Sequence, residues 1–113
     1  MKIQIKNYLN EQLIVDGEYN SLKEAVEKNK ADLHGADLYG ADLHGANLYR
    51  ANLYRANFCG ANLYRADLHG ADLRGANLYE ANLYEANLHG AKIKNSQKNI
   101  IFNALGIEIE VEE

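Results

Sequence analysis

From residue 31 to residue 90 every fifth residue is alanine, and two places after each alanine stands an apolar side chain. That side chain is Leu in every unit but the one holding Phe58. Asp or Asn separates the two apolar positions, and two permissive residues follow, drawn from Tyr, His, Arg, Gly, Glu and Cys. The register holds through twelve units, and Ala91-Lys92-Ile93-Lys94-Asn95 is a degenerate thirteenth. Neither the helical period of about 3.6 nor the strand period of 2 matches this spacing. Alternate residues of an extended segment face one side, so the alanine and the third-position residue both point inward. The two residues after them must turn a corner. Gly closes more than half of the units, and its tolerance of positive φ suits that position.

Each unit is therefore one short side plus one corner, and right-angled corners would close a rung in four units, or twenty residues. Surface residues fit that lag. At a spacing of twenty, Arg65 lies over Glu85, Asp72 over Lys92 and Tyr54 beside Arg74, while no second-position Asp lies over another. The predicted interior columns are Leu33, Leu53, Leu73 and Ile93; Leu38, Phe58 and Leu78; Leu43, Leu63 and Leu83; and Leu48, Leu68 and Leu88. Fixed-period self-similarity of this kind marks a solenoid whose ends need atypical caps.

Three zones follow: residues 1–30, the repeats at 31–95, and residues 96–113. In the first, Ile3 and Ile5 alternate with polar residues, Leu9-Asn10-Glu11 offers a turn, and Gln12–Val15 resumes a strand. Ser21 and Glu24 stand at capping-box spacing before Leu22, Ala25 and Val26, which predicts a short amphipathic helix up to Asn29. In the last zone, Ser96 is placed to cap a helix carrying Ile100, Ile101, Ala104 and Leu105, and Gly106 to stop it. Ile107, Ile109 and Val111 then alternate with Glu108, Glu110 and Glu112, a one-faced strand.

The motif A-(D/N)-L-x-x over residues 31–95 resembles the pentapeptide repeat family. The resemblance implies a right-handed quadrilateral β-helix, an all-β solenoid, with first-position Ala and third-position Leu inside. For this chain that means about three coils, or ~15 Å of shaft at ~4.8 Å per rung. The expected fold adds an N-terminal hairpin-plus-helix cap and a short C-terminal helix and strand. The resemblance says little about role, because fold does not fix function. Some family members resemble duplex DNA and bind type II topoisomerases such as DNA gyrase.

Composition narrows the picture. The chain has 113 residues, with 12 Lys plus Arg against 16 Asp plus Glu, which argues against a direct grip on nucleic acid. One cysteine allows no internal disulfide, and no stretch is long and apolar enough to cross a membrane, so a cytoplasmic protein is expected. Proline is absent, which suits a chain whose backbone N–H groups are committed to ladders.

Chemistry-bearing residues are few. His34, His44, His69 and His89 share the fourth position, and His69 and His89 should stack. Two ligands do not close a metal site, so no metal is expected. Tyr39, Tyr49, Tyr54, Tyr64, Tyr79 and Tyr84 either form a binding strip or cover bare turns. Cys59 has no His–Asp partner in view. We expect a non-enzyme without cofactor, acting as a structural or protein-interaction module. The alternative is a DNA mimic for a type II topoisomerase. Residues 31–90 carry seven acids and four arginines, whereas ~15 Å of duplex presents ~9 charges. The expected partner is a second copy, docked through Ile100, Ile101, Phe102, Leu105, Ile107, Ile109 and Val111, with another protein as the alternative.

Overall fold

The computed structural model describes residues 1–107. A hairpin comes first, with β1 (Lys2–Lys6) antiparallel to β2 (Leu13–Glu18) and Ile5 opposite Val15. Both of those side chains are buried, as the alternation requires. Asn7 and Asn10 build the turn by accepting the N–H groups of Leu9 and Gln12. Helix α1 (Leu22–Lys28) starts on Ser21, whose Oγ accepts the Glu24 N–H at 3.0 Å. The Glu24 carboxylate reaches back to the N–H of Asn20, one residue before the partner that a capping box would use. Ala25 and Val26 are fully buried, so α1 lays its apolar face on the shaft.

The repeats form ladders of isolated parallel bridges, all twenty residues apart, from Asp37 with Asn57 to Asp72 with Lys92. A corner every five residues leaves room for one bridged pair per side, so no long strand develops. Within a unit, the second-position Oδ1 accepts the N–H two residues on, at 2.9–3.4 Å in every unit from Asp37 to Asn87. The third-position carbonyl accepts the next Ala N–H at 2.8–3.1 Å, which closes the corner. These Asx turns explain why Asp or Asn holds the second position through residues 31–90. The fifth residue has positive φ whether it is Gly or not; Arg50, Arg55, Arg65, Glu80 and Glu85 lie at 55–59°.

Third-position side chains from Leu33 to Leu83 are at most 2% exposed. Each contributes ~1.5–3 kcal/mol before conformational entropy is counted. Two predicted core residues differ. Leu88 is half-buried and Ile93 is 37% exposed. No described rung lies above them, and the chain leaves the shaft immediately after Ile93. Ala31 is also exposed, because the first unit begins in a 3-10 turn, Lys30–Asp32, rather than a bridged side.

Helix α2 (Lys98–Ala104) is present, but Ser96 does not cap it. Ser96 sits within a 3-10 turn, Asn95–Gln97, and α2 begins after Gln97 without a side-chain cap. The cause is Gln97, which is drawn into the shaft (8% exposed). Ile101 is buried against its own chain, with Ala104 and Leu105 packed on the same core. Among the residues expected at a dimer contact, Ile101 is thus internal, Phe102 and Leu105 are half-buried, and Ile100 and Ile107 stay exposed. Ile109 and Val111 lie outside the described residues.

Candidate interaction surface

With the interior filled by its own side chains, chemistry is left to the corners and the two ends. The twenty-residue lag arranges the fourth-position residues in four columns: His34–Tyr54–Arg74, Tyr39–Cys59–Tyr79, His44–Tyr64–Tyr84, and Tyr49–His69–His89. Contacts along them are aromatic and ionic. Tyr64 and Tyr84 stack in parallel at 6.0 Å. His69 meets His89 edge-on at 5.1 Å and Tyr49 at 5.2 Å. His34 leans on Tyr54 at 5.2 Å, and Arg74 lies 5.8 Å from the same ring on the other side.

Ion pairs follow the same order. The Arg65 Nε donates to Glu85 at 2.6 Å across one rung, and this carboxylate raises the Arg65 pKa. Arg74 makes a bidentate bond to Asp72 on its own corner, with Nε on Oδ1 and Nη2 on Oδ2, and holds that carboxyl below its ordinary range. Lys92 bridges to Asp72 through the backbone, so the acid chooses the nearer guanidinium over the residue above it. The side chain of His44, and then its N–H, lower the Asp42 carboxyl. Two of the four arginines, Arg65 and Arg74, thus spend their charge on acids of the shaft, while Arg50 and Arg55 lie beside tyrosine rings.

The tyrosines divide. Tyr54 and Tyr64 are half-buried beneath Arg55 and Arg65, whose guanidinium carbons sit 5.9 and 5.5 Å from the rings. They fit the covering role. Tyr39 and Tyr79 are 70% and 59% exposed, and Tyr84 is 53% exposed. These three stand on the two corners that flank one side of the shaft. At the C-terminal end of that side, Leu78, Tyr79, Ala81, Ile100, Asn103 and Ala104 line an open cleft of about 310 Å³. Cys59, between Tyr39 and Tyr79, is a free, half-buried thiol whose N–H bonds to Asn57. Among the described residues no group of three or more His, Cys, Asp or Glu is placed to hold a metal.

Three residues that sequence reasoning passed over manage the shaft's ends. On the N-terminal edge the Glu27 carboxylate accepts the Asn47 N–H at 2.7 Å, and Lys30 gives its carbonyl to Asn52 and its Nζ to Asn47 Oδ1. The hairpin joins the same edge, where Asp37 donates to the Lys6 carbonyl and Tyr8 to the Gly35 carbonyl. On the C-terminal edge Gln97 stands in for a missing rung. Its Oε1 accepts from Gly75 and Lys94, and its Nε2 donates to the carbonyls of Leu73 and Ala76.

The geometry matches known proteins. The family model for pentapeptide repeats matches residues 29–63 and 61–96, well over half of the chain. A comparison with curated proteins gave no match. Among solved structures, the chain is similar to the pentapeptide repeat protein Rfr23 of the cyanobacterium Cyanothece 51142, at 46% identity and a TM-score of 0.41. That likeness covers 56% of this chain and 40% of the other. It is also similar to a pentapeptide repeat protein of the Arabidopsis thaliana thylakoid lumen, at 30% identity and a TM-score of 0.42, over 70% and 55% of the two chains. QnrB1, a plasmid-mediated fluoroquinolone resistance protein, shares the fold at a TM-score of 0.50 and 21% identity, over 69% of this chain and 46% of its own. The chain thus spans about half or less of the length of these structures. With the repeat motif, the twenty-residue ladder and the family model in agreement, the chain belongs to the pentapeptide repeat family.

Proposed function

We propose that the protein is a non-enzymatic interaction module of the cytoplasm, a right-handed four-sided shaft of about three coils with a cap at each end. The observation that carries this reading is the interior. Third-position residues from Leu33 to Leu83 are buried in it, so recognition falls to the sides. The side flanked by Tyr39, Tyr79 and Tyr84 is the working face, because exposed tyrosines combine apolar area with a hydrogen-bonding tip at little entropic cost. Its partner is a protein, and a second copy is the first candidate, docked where Ile100 (41% exposed) adjoins Leu78 and Tyr79. A two-fold contact is the commonest way to close such an association.

Mimicry of DNA toward a type II topoisomerase ranks second. Seven acids against four arginines leave residues 31–90 a net charge of only minus three, and two of those acids, Glu85 and Asp72, are held in ion pairs with Arg65 and Arg74. Light scattering of the full chain and of Ile100→Asp at tens of micromolar tests the first reading. A dimer that the substitution turns into monomer supports it. A monomer in both cases removes the second copy as partner. A gyrase supercoiling assay run beside it would reverse the ranking if the protein inhibited or protected the enzyme.

A further inference from the structure

The side of the shaft opposite the tyrosine face carries charge of the other sign. Its second positions run Asp32, Asn52, Asp72 and Lys92. The corner column on one edge brings Arg50, and the columns on the other edge bring Arg55, Arg74 and Lys94. All five cations are exposed. They stand with two acids, of which Asp72 is held by Arg74. Five against two leaves this side a net charge of plus three. The remaining residues of 1–107 hold ten acids against seven lysines and arginines, a net of minus three. Among its repeat residues the tyrosine side has Asp42, Glu80 and Glu85 against Arg65 alone. The near balance of the whole composition thus conceals a segregation that the twenty-residue lag creates.

Two of the cations are fixed in place by the shaft. The stem of Arg50 runs over Gly70 and that of Arg55 over Gly75, where an added Cβ would come within 3.2 and 3.1 Å of the respective Cγ atoms. Their guanidinium carbons lie 5.4 Å from the Tyr49 ring and 5.9 Å from the Tyr54 ring. Arginines held this way lose little freedom on meeting a carboxylate, and they can grip it with two parallel bonds. Arg74 stands one rung further on, and Lys92 and Lys94 follow it, at ~4.8 Å per rung. About four residues of extended chain, at ~3.3 Å each, span that distance.

We propose that this side is a second docking surface, which takes a short acidic segment of a partner protein and holds it through Arg50 and Arg55. Single-stranded nucleic acid would need bare rings on which bases stack. The two rings here are already engaged: Tyr54 by His34, Arg55 and Arg74, and Tyr49 by His69 and Arg50. A second copy is disfavoured by charge, because a two-fold contact through this side would set like charges against each other. The surface is separate from the Ile100 cleft, and the proposal does not depend on association through that cleft.

Fluorescence polarisation of the full chain with fluorescein-labelled octaglutamate at low ionic strength tests it. The peptide should bind, and added salt should weaken it. In Arg50→Gly with Arg55→Gly the affinity should fall by roughly tenfold. Gly suits those places, whose φ values are 55 and 58°, so the variant keeps its fold. Lys23→Gln with Arg65→Gly removes equal charge from the opposite side and should leave binding within about twofold of the parent. No binding of octaglutamate, or equal losses in the two double variants, would overturn the proposal. Tighter binding of an oligothymidylate of equal charge would overturn it in favour of nucleic acid. Salt-sensitive self-association that the Arg50 and Arg55 changes abolish would overturn it in favour of a second copy.

Discussion

Removal of one glutamine should unsettle the C-terminal end of the shaft more than loss of a whole exposed aromatic. Gln97→Ala deletes an amide that makes four hydrogen bonds: to the Gly75 N–H at 3.2 Å, the Lys94 N–H at 2.8 Å, the Leu73 carbonyl at 2.8 Å and the Ala76 carbonyl at 3.0 Å. A net ~0.5–1.5 kcal/mol per bond gives ~2–6 kcal/mol. Water can reach the exposed Lys94 end, and the Leu73 carbonyl keeps the Ala76 N–H as a second partner, so ~2–4 kcal/mol is the working figure. For a chain of this size that lowers Tm by about 10 °C.

The loss need not be spread over the whole molecule. Rungs couple mainly to their neighbours, so the C-terminal coil can open before the rest. Urea titration followed by circular dichroism gives the global figure, and exchange of the Gly75 amide gives the local one. Gln97→Glu should be at least as damaging, because a carboxylate cannot donate to the Leu73 and Ala76 carbonyls. Gln97→Ala and Gln97→Glu both within about 0.5 kcal/mol of the parent, with Gly75 exchange unchanged, would refute the plug.

Two further substitutions address the repeats themselves. Leu63→Asp, at a fully buried site, should abolish folding by leaving an unpaired charge that costs several kcal/mol, whereas Tyr64→Asp next to it should cost ~1 kcal/mol or less; circular dichroism melts that fail to distinguish the two would sink the inward assignment. Glu80→Gly should raise stability by up to ~1 kcal/mol, since a non-glycine at φ 58 carries ~1–2 kcal/mol of left-handed strain against ~0.5–1 kcal/mol of extra unfolded-state entropy for Gly, and a lower urea midpoint for Glu80→Gly would contradict it.

The repeat was legible because every unit restates it. Leu33 to Leu83 could be assigned inward from spacing alone, and the lag of twenty already paired Arg65 with Glu85 and His69 with His89. What failed was continuation of the pattern beyond the neighbours that give it meaning. Ile93 keeps the inward position of its unit, yet burial comes from the rung above, and sequence register does not say whether one is there. Ser96 failed for a different reason. It is the better helix cap by residue type, but Gln97 gains four bonds inside the shaft, and that outweighs the single bond a cap offers. Nothing in the residue type separates Gln97, or Glu27 at the other end, from an ordinary surface amide or acid.

Side and end obey different rules, and that difference bears on function. Along the sides, backbone demand is met within the repeat: the second-position Oδ1 closes the turn and the rung above or below completes the ladder. The fourth position is then free of structural duty, and so it varies among Tyr, His, Arg and Cys without disturbing the core. At the ends the backbone demand remains, and non-repeating residues meet it: the hairpin at Lys6 and Tyr8, a carboxylate at Glu27, an amide at Gln97, and a helix carbonyl at Ala104. A change at an end should therefore be read first as a loss of folding. A change at Tyr39, Tyr79 or Tyr84 that leaves the melt intact but abolishes association would be evidence of recognition, because no hydrogen bond of the ladder passes through those rings.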